Sequence, residues 1–185
     1  MYHAKSNPQI VLRPQDVVVL LRLSLESGAP PTYAALAQEL SLTASEVHAG
    51  LGRASIAQLA RKDQSGKAFV VREALKLFIL HGARYAFPAT RGEATRGMPT
   101  GYAAAPLKDK IIQPVNEAAP VWPHKNGQLR GAAFYPLYPT VPEAAGRNPA
   151  LYELLVLFDA IRGGSMRERA IASQLLDARL AQIPA

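Results

Sequence analysis

The chain has 185 residues and no cysteine, which excludes disulfide bonds, thiolate metal sites and cysteine nucleophiles. Its net charge of +7 favours a polyanionic partner. The excess positive charge lies in residues 1–148, because residues 149–185 contain four basic and four acidic side chains. No apolar run reaches the roughly 18 residues of a membrane helix, and no signal peptide is recognisable. We therefore expect a cytoplasmic protein without a membrane partner.

Helical patterns extend from Pro14 to about Gly82. Proline suits the first position of a helix, and Asp16 places negative charge in the first turn, where it favours the helix dipole. Residues 17–25 are apolar on nearly every side, which predicts a largely buried helix. A second helix begins after Thr32, whose hydroxyl can cap it.

The next helix restarts only three residues after the second helix ends. Thr43 followed by Glu46 is a capping box, which predicts a helix from Ala44 to about Leu59. The spacing of its apolar residues predicts a buried face that contains Val47, Leu51 and Ala54. The opposite face is polar, small and basic, and it contains Ser45, His48, Ala49, Gly52 and Arg53.

A four-residue turn signal, Asp63 to Gly66, lies between two short runs and is flanked by Lys62 and Lys67. Such a pattern predicts a small β-hairpin or wing, with a loop as the alternative. Residues 71–81 then form a further helix, which we expect to end at Gly82.

The stretch YAALAQELSLTASEVHAGLGR meets the packing requirements of a helix-turn-helix. Ala37 is small where two helices cross, Leu42 is an apolar residue in the turn, and Val47 points inward on the second helix. Together with the possible wing, residues 14–82 resemble the winged-helix regulators of the MarR type. This resemblance implies a DNA-binding domain over residues 1–85 and a repressor that controls transcription. Since operators are commonly palindromic, DNA binding in turn implies a homodimer.

If the chain binds DNA, the geometry of the second helix assigns roles to individual side chains, since one helix fits the major groove of DNA. Arg53 would form hydrogen bonds with a guanine edge or a phosphate, and Ser45 would bond to either of these groups. The residues expected on the groove side of the helix are Ala44, Ser45, His48, Ala49, Gly52 and Arg53. The residues expected to contact the DNA backbone are Thr32, Tyr33, Thr43, Lys62 and Lys67. The alternative is an ordinary helical corner, or a winged helix that contacts protein.

Residues 86–148 differ in composition, with nine of the fifteen prolines and six of the thirteen glycines. Long helices are nearly excluded there. Aromatic residues such as Trp122 and Phe134 nevertheless favour burial. We expect an ordered, irregular segment packed on the N-terminal domain, with short strands around Val121-Trp122 and over Leu129 to Phe134.

Chemistry-bearing motifs are weak throughout the chain. Three glycines with Arg91 and Arg96, between Ala89 and Leu107, could cradle a phosphate, although a loop with arginines in solvent or on DNA is the alternative. The four histidines have no metal-ligand spacing, and no nucleotide or nucleophile motif is present. We expect no enzyme activity, no cofactor and no metal.

Residues 149–185 are predicted to form a helical hairpin. Asn148 followed by Pro149 marks its start, and Gly163-Gly164 separates its two helices. The hairpin carries a broad apolar face and nearby arginines, which are Leu151, Leu154, Leu155, Phe158, Arg162 and Arg169. One interpretation is a surface for a homodimer or for a partner such as a toxin or defence protein, which would make the chain an antitoxin or defence-system accessory. The other is that the hairpin covers the protein's own core.

Overall fold

The computed structural model describes residues 9–112 and 117–181, and the fold is mainly α. Three helices come first, followed by an antiparallel β-hairpin. These elements are α1 Pro14–Leu23, α2 Tyr33–Leu40, α3 Ala44–Ile56, β1 Ala60–Lys62 and β2 Ala68–Val70. The hairpin and the three helices were expected from sequence, and the structure confirms them. Helix α3 nevertheless ends at Ile56 and not at about Leu59 as predicted, because Gln58 adopts the left-handed region (φ 61°).

A longer helix follows the hairpin than the sequence predicted. It consists of α4 Arg72–Leu77, a π-helical turn over Phe78–Gly82, and α5 Ala83–Ala86. The prediction that it ends at Gly82 was wrong, because this glycine keeps right-handed helical dihedral angles (φ −108°, ψ −35°). A Cβ at this position would lie 3.1 Å from the Phe78 ring, so the glycine makes room for an aromatic side chain within the helix.

Helix α1 lies at the centre of the molecule. Residues 17–21 are all at most 1% exposed, as expected for a helix that is apolar on nearly every side. The helix contacts α2 and α3 of the N-terminal part of the chain, and it also contacts the C-terminal helix that begins at Pro149. It therefore links the two helical parts of the chain through one core.

The proline- and glycine-rich segment contains a small sheet of three strands, β3 Arg91–Pro99, β4 Pro120–Pro123 and β5 Leu129–Phe134. The last two were predicted and are confirmed. The long first strand was not predicted, and it occupies the stretch that was considered as a phosphate cradle. It runs antiparallel to both of the others, which pair with each other in parallel, so every strand contacts the other two.

Two glycines of this sheet allow its strands to approach unusually closely. A Cβ at Gly97 would lie 2.1 Å from the carbonyl oxygen of Trp122. A Cβ at Gly131 would lie 2.0 Å from the carbonyl oxygen of Ala119. Neither distance is possible for a real side chain, so glycine is required by the close contact between strands rather than by a ligand.

A short helix, α6 Val141–Arg147, packs against α2 and was not predicted. One guanidinium nitrogen of Arg147 donates to the carbonyl oxygens of Gln38 and Glu39, each at 3.1 Å, and to the hydroxyl of Ser41 at 2.7 Å. These carbonyls belong to the last turn of α2, where no intrahelical donor remains. The arginine therefore stabilises the end of α2, next to a serine in the left-handed region (φ 53°).

The predicted C-terminal hairpin is present as α7 Pro149–Gly163 and α8 Met166–Ala181. The Asn148 side chain accepts a bond from the Leu151 amide at 3.0 Å, which confirms the predicted cap. The predicted interface residues of α7 are nevertheless buried within this chain, each at most 1% exposed: Leu151, Leu154, Leu155 and Phe158. Their assignment to a partner surface was wrong, because α1, α5, α6 and α8 all pack against α7.

Arg162 is also inside the protein and not on a partner surface. Its Nε donates to Asp159 Oδ1 at 2.8 Å, and one Nη donates to the carbonyl oxygen of Tyr135 at 2.7 Å. The other carboxylate oxygen of Asp159 accepts bonds from Thr100 Oγ1 at 2.8 Å and Trp122 Nε1 at 2.5 Å. Burial raises the pKa of Asp159, whereas the guanidinium and these two donors act in the opposite direction. The network joins α7 to the small sheet.

All three predicted segments contribute to one hydrophobic core, which includes Leu40, Trp122 and Leu154. Of the residues predicted for a partner surface, only Arg169 is even partly exposed. Across residues 9–112 and 117–181, no helix has the length and apolar character needed to cross a membrane.

Candidate nucleic-acid interface

Helix α3 is held by a buried face and a capped start. Val47, Leu51 and Ala54 are at most 1% exposed and pack toward α1 and α2, as their spacing predicted. The Glu46 amide donates to Thr43 Oγ1 at 3.2 Å, and the Thr43 amide donates to Glu46 Oε2 at 2.8 Å. The hydrogen bonds that Glu46 accepts from the Thr43 amide and from the Thr43 hydroxyl lower its pKa. The predicted capping box is confirmed.

The opposite face of α3 is open. Ala44, Ser45, His48 and Ala49 are exposed, and Gly52 is half-buried. A Cβ at Gly52 would meet no atom within 4 Å, so the space in front of the helix backbone is free. The proline-rich segment leaves these exposed residues uncovered.

Several predicted contact residues lie around the same face. The rings of Tyr33 and His48 are 5.6 Å apart, which places the start of α2 beside the middle of α3. Thr32 and Tyr33 line a groove together with Lys67 and the hairpin turn. The Thr32 hydroxyl itself accepts a bond from the Ala35 amide at 3.2 Å and caps α2. Tyr33 thus lies beside His48, and it shares a groove with Thr32 and Lys67.

Lys62 lies apart from that group. It pairs in register with Ala68 and lines a different groove, together with Arg61 and Phe69. Arg61 is exposed and was missed by the sequence predictions, although its position beside Lys62 in the hairpin was visible in the sequence. The exposed cations of the hairpin therefore line three grooves: Lys67 lines one, Arg61 and Lys62 share a second, and Arg61 also lines a third.

Arg53 does not point into the open face. Its Nε and one Nη donate to the two carboxylate oxygens of Asp16, both at 2.7 Å, and that aspartate side chain is 0% exposed. These bonds raise the pKa of Arg53. Gly50 makes the contact possible, because a Cβ there would lie 2.7 Å from Asp16 Oδ1. The prediction that Arg53 reads DNA was wrong: the residue joins α3 to α1.

Two polar side chains remain on the open face of α3, those of Ser45 and His48. The Thr43 hydroxyl is occupied by the capping box. Beside the face lies a shallow groove whose exposed apolar side chains are Ile10, Val11 and Ile56. The face therefore combines a few polar groups with small and apolar residues.

Within the described ranges, no group of three or more histidine, aspartate or glutamate side chains is placed to hold a metal ion. Comparison of the chain with family models, curated proteins and solved structures finds no match.

Proposed function

We propose that this protein is a sequence-specific DNA-binding regulator of transcription. In this proposal α1 to α3 and the β-hairpin act as a winged helix-turn-helix of the kind that the residues 14–82 resemble, and α3 enters the major groove. The observation that supports it best is the open face of α3, with the ring of Tyr33 lying beside that of His48.

Base recognition is assigned to Ser45 and His48. A hydroxyl and an imidazole can each donate to or accept from base edges, and every base pair displays a distinct pattern in the major groove. Ala49 and Gly52 project little beyond the helix backbone, so α3 can approach the bases closely. Exposed apolar groups at the end of the face, such as Ile56, suit the methyl group of thymine.

The DNA backbone is contacted by Thr32, Tyr33 and Lys67, and by the second pair of hairpin cations, Lys62 and Arg61. Such contacts position the protein without specifying sequence. Since a protein that neutralises phosphates releases counterions, affinity should fall steeply with salt concentration. The net charge of +7 favours this mode of association.

Repression belongs to the same proposal by analogy with MarR-type regulators. Dimerisation belongs to it because palindromic DNA sites are read by two-fold symmetric proteins. A second copy would dock on residues other than the buried apolar side chains of α7. The alternative of an antitoxin or defence-system accessory relied on those same side chains, and their burial removes its main support.

The proposal is tested by selecting a preferred duplex from a random library with the full chain and measuring affinity by gel-shift competition. The double substitution Ser45→Ala/His48→Ala should abolish the preference for the selected duplex over a scrambled one. The matched control is Ser27→Ala/His81→Ala, which removes the same side chains from exposed positions outside α3.

Two results would reject the proposal. One is a wild-type chain that selects no sequence from the library. The other is a Ser45→Ala/His48→Ala variant that keeps the wild-type preference while remaining folded.

A further inference from the structure

The small sheet places two arginines directly opposite each other. Arg96 on β3 is the register partner of Arg130 on β5, and both are exposed. The backbone amide of His124 donates to the carbonyl oxygen of Arg96 at 3.2 Å, which brings the exposed Lys125 to the same end of the sheet. Like charges directly opposite on antiparallel strands destabilise the pair.

Nothing in the described chain neutralises this cluster. Arg96, Lys125 and Arg130 make no ion pair and no side-chain hydrogen bond with residues 9–112 or 117–181. Arg91, on the same strand as Arg96, behaves differently: it donates to the carbonyl oxygen of Gly163 at 2.9 Å and lies over the Phe134 ring. The fold thus employs one arginine of β3 structurally and leaves the other facing a like charge.

We propose that Arg96, Arg130 and Lys125 form a second phosphate-contact surface, which binds the backbone of duplex DNA. The choice of DNA as partner rests on the proposed function, but the surface uses no residue of α3. Two adjacent guanidinium groups match phosphate oxygens well, and a bound anion removes their repulsion.

The composition of the surface favours a polyphosphate over a protein partner. Protein interfaces have an apolar centre, which usually includes large aromatic side chains. Side chains two positions apart on a strand share a face. The next cross-strand pair on the face of Arg96 and Arg130 is therefore Ala94 with Ala132, which adds little apolar area. Phosphate binding requires only positive charge and access.

The test uses the double substitution Arg96→Gln/Arg130→Gln in the full chain. Affinity for a duplex of about 40 base pairs is measured by fluorescence anisotropy over a series of salt concentrations. Because each phosphate contact contributes about 0.9 to the slope of log affinity against log salt, loss of two contacts should reduce the slope by about 1.8. Sequence preference should stay unchanged, and thermal stability at low salt should not fall.

The matched control is Lys108→Gln/Lys110→Gln, which removes two positive charges from exposed positions of the same segment. A smaller change of slope in this control supports the surface, whereas equal changes in both variants show a net-charge effect and overturn it. An unchanged slope for Arg96→Gln/Arg130→Gln overturns the surface while leaving the function of α3 intact. If that variant loses binding and Ser45→Ala/His48→Ala does not, the surface stands and the function proposed for α3 fails. Tighter binding of single-stranded RNA than of duplex also overturns it.

Discussion

Replacement of Arg53 by alanine distinguishes a structural role for this residue from a DNA-reading role. In the structure Arg53 donates two bonds of 2.7 Å to Asp16, whose side chain is fully buried. The substitution leaves that carboxylate with the amide of Arg13, the N-cap residue of the same helix, as its donor at 2.8 Å. We expect the variant to be destabilised, because an uncompensated charge then remains inside the protein.

The size of the effect follows from burial. Breaking a buried ion pair by removing one partner costs about 3–5 kcal/mol. The Arg53 side chain is 17% exposed, so water can reach part of the vacated site, and the Arg13 amide still serves Asp16. We therefore expect the lower end, about 3 kcal/mol. For a chain of this length, that corresponds to a fall in Tm of about 6–12 °C.

The assay is urea and thermal unfolding of Arg53→Ala, Asp16→Ala and the double variant. If the unpaired carboxylate causes the loss, adding Arg53→Ala to Asp16→Ala should cost less than about 1 kcal/mol. Arg53→Lys should be intermediate, since an ammonium keeps the charge but not the two-pronged geometry. The reasoning fails if Arg53→Ala unfolds like the wild type and instead weakens DNA binding.

Two further predictions concern the sheet and the end of α2. Gly131→Ala should prevent the close strand contact and lower the free energy of unfolding by more than about 2 kcal/mol. The control is Gly146→Ala, which should be neutral or stabilising because a Cβ there meets nothing within 4 Å. Urea unfolding of both variants checks this, and equal effects would contradict it. Burial opposes ionisation of Glu39, but bonds from Arg22 and Asn148 lower its pKa overall. Since its folded-state pKa lies below its unfolded-state value of about 4.3, the ionised group stabilises the fold above that pH and this contribution is lost as pH falls. Glu39→Gln should therefore be less stable than the wild type at pH 7 and differ less at pH 3.5, and a gap that is equal at both pH values would refute it.

Local spacing in the sequence was sufficient to predict the helix starts. Thr43 with Glu46, and Asn148 with Pro149, act over one turn of the chain, so their caps follow from neighbouring residues alone. The hairpin around Asp63 to Gly66 is local for the same reason. The buried and open faces of α3 also follow from periodicity within a single helix.

The strand β3 escaped prediction because its partners are distant in sequence and its glycines imitate a ligand loop. Only the position of Trp122 and Ala119 against Gly97 and Gly131 shows that these glycines serve strand contact. Likewise, the four apolar positions of α7 look the same in sequence whether a partner or the chain itself covers them.

The sequence by itself determined where the helices and the hairpin begin, and which side of α3 is polar, because capping and periodicity act between residues at most a few positions apart. Only the tertiary structure decided which charges are free to meet a ligand. Arg53 and Asp16 are 37 residues apart, and Arg147 lies more than 100 residues from the end of α2 that it stabilises. Pairing across such separations depends on how the elements pack. Packing pairs Arg53 with the buried Asp16 and leaves Arg96 and Arg130 facing solvent.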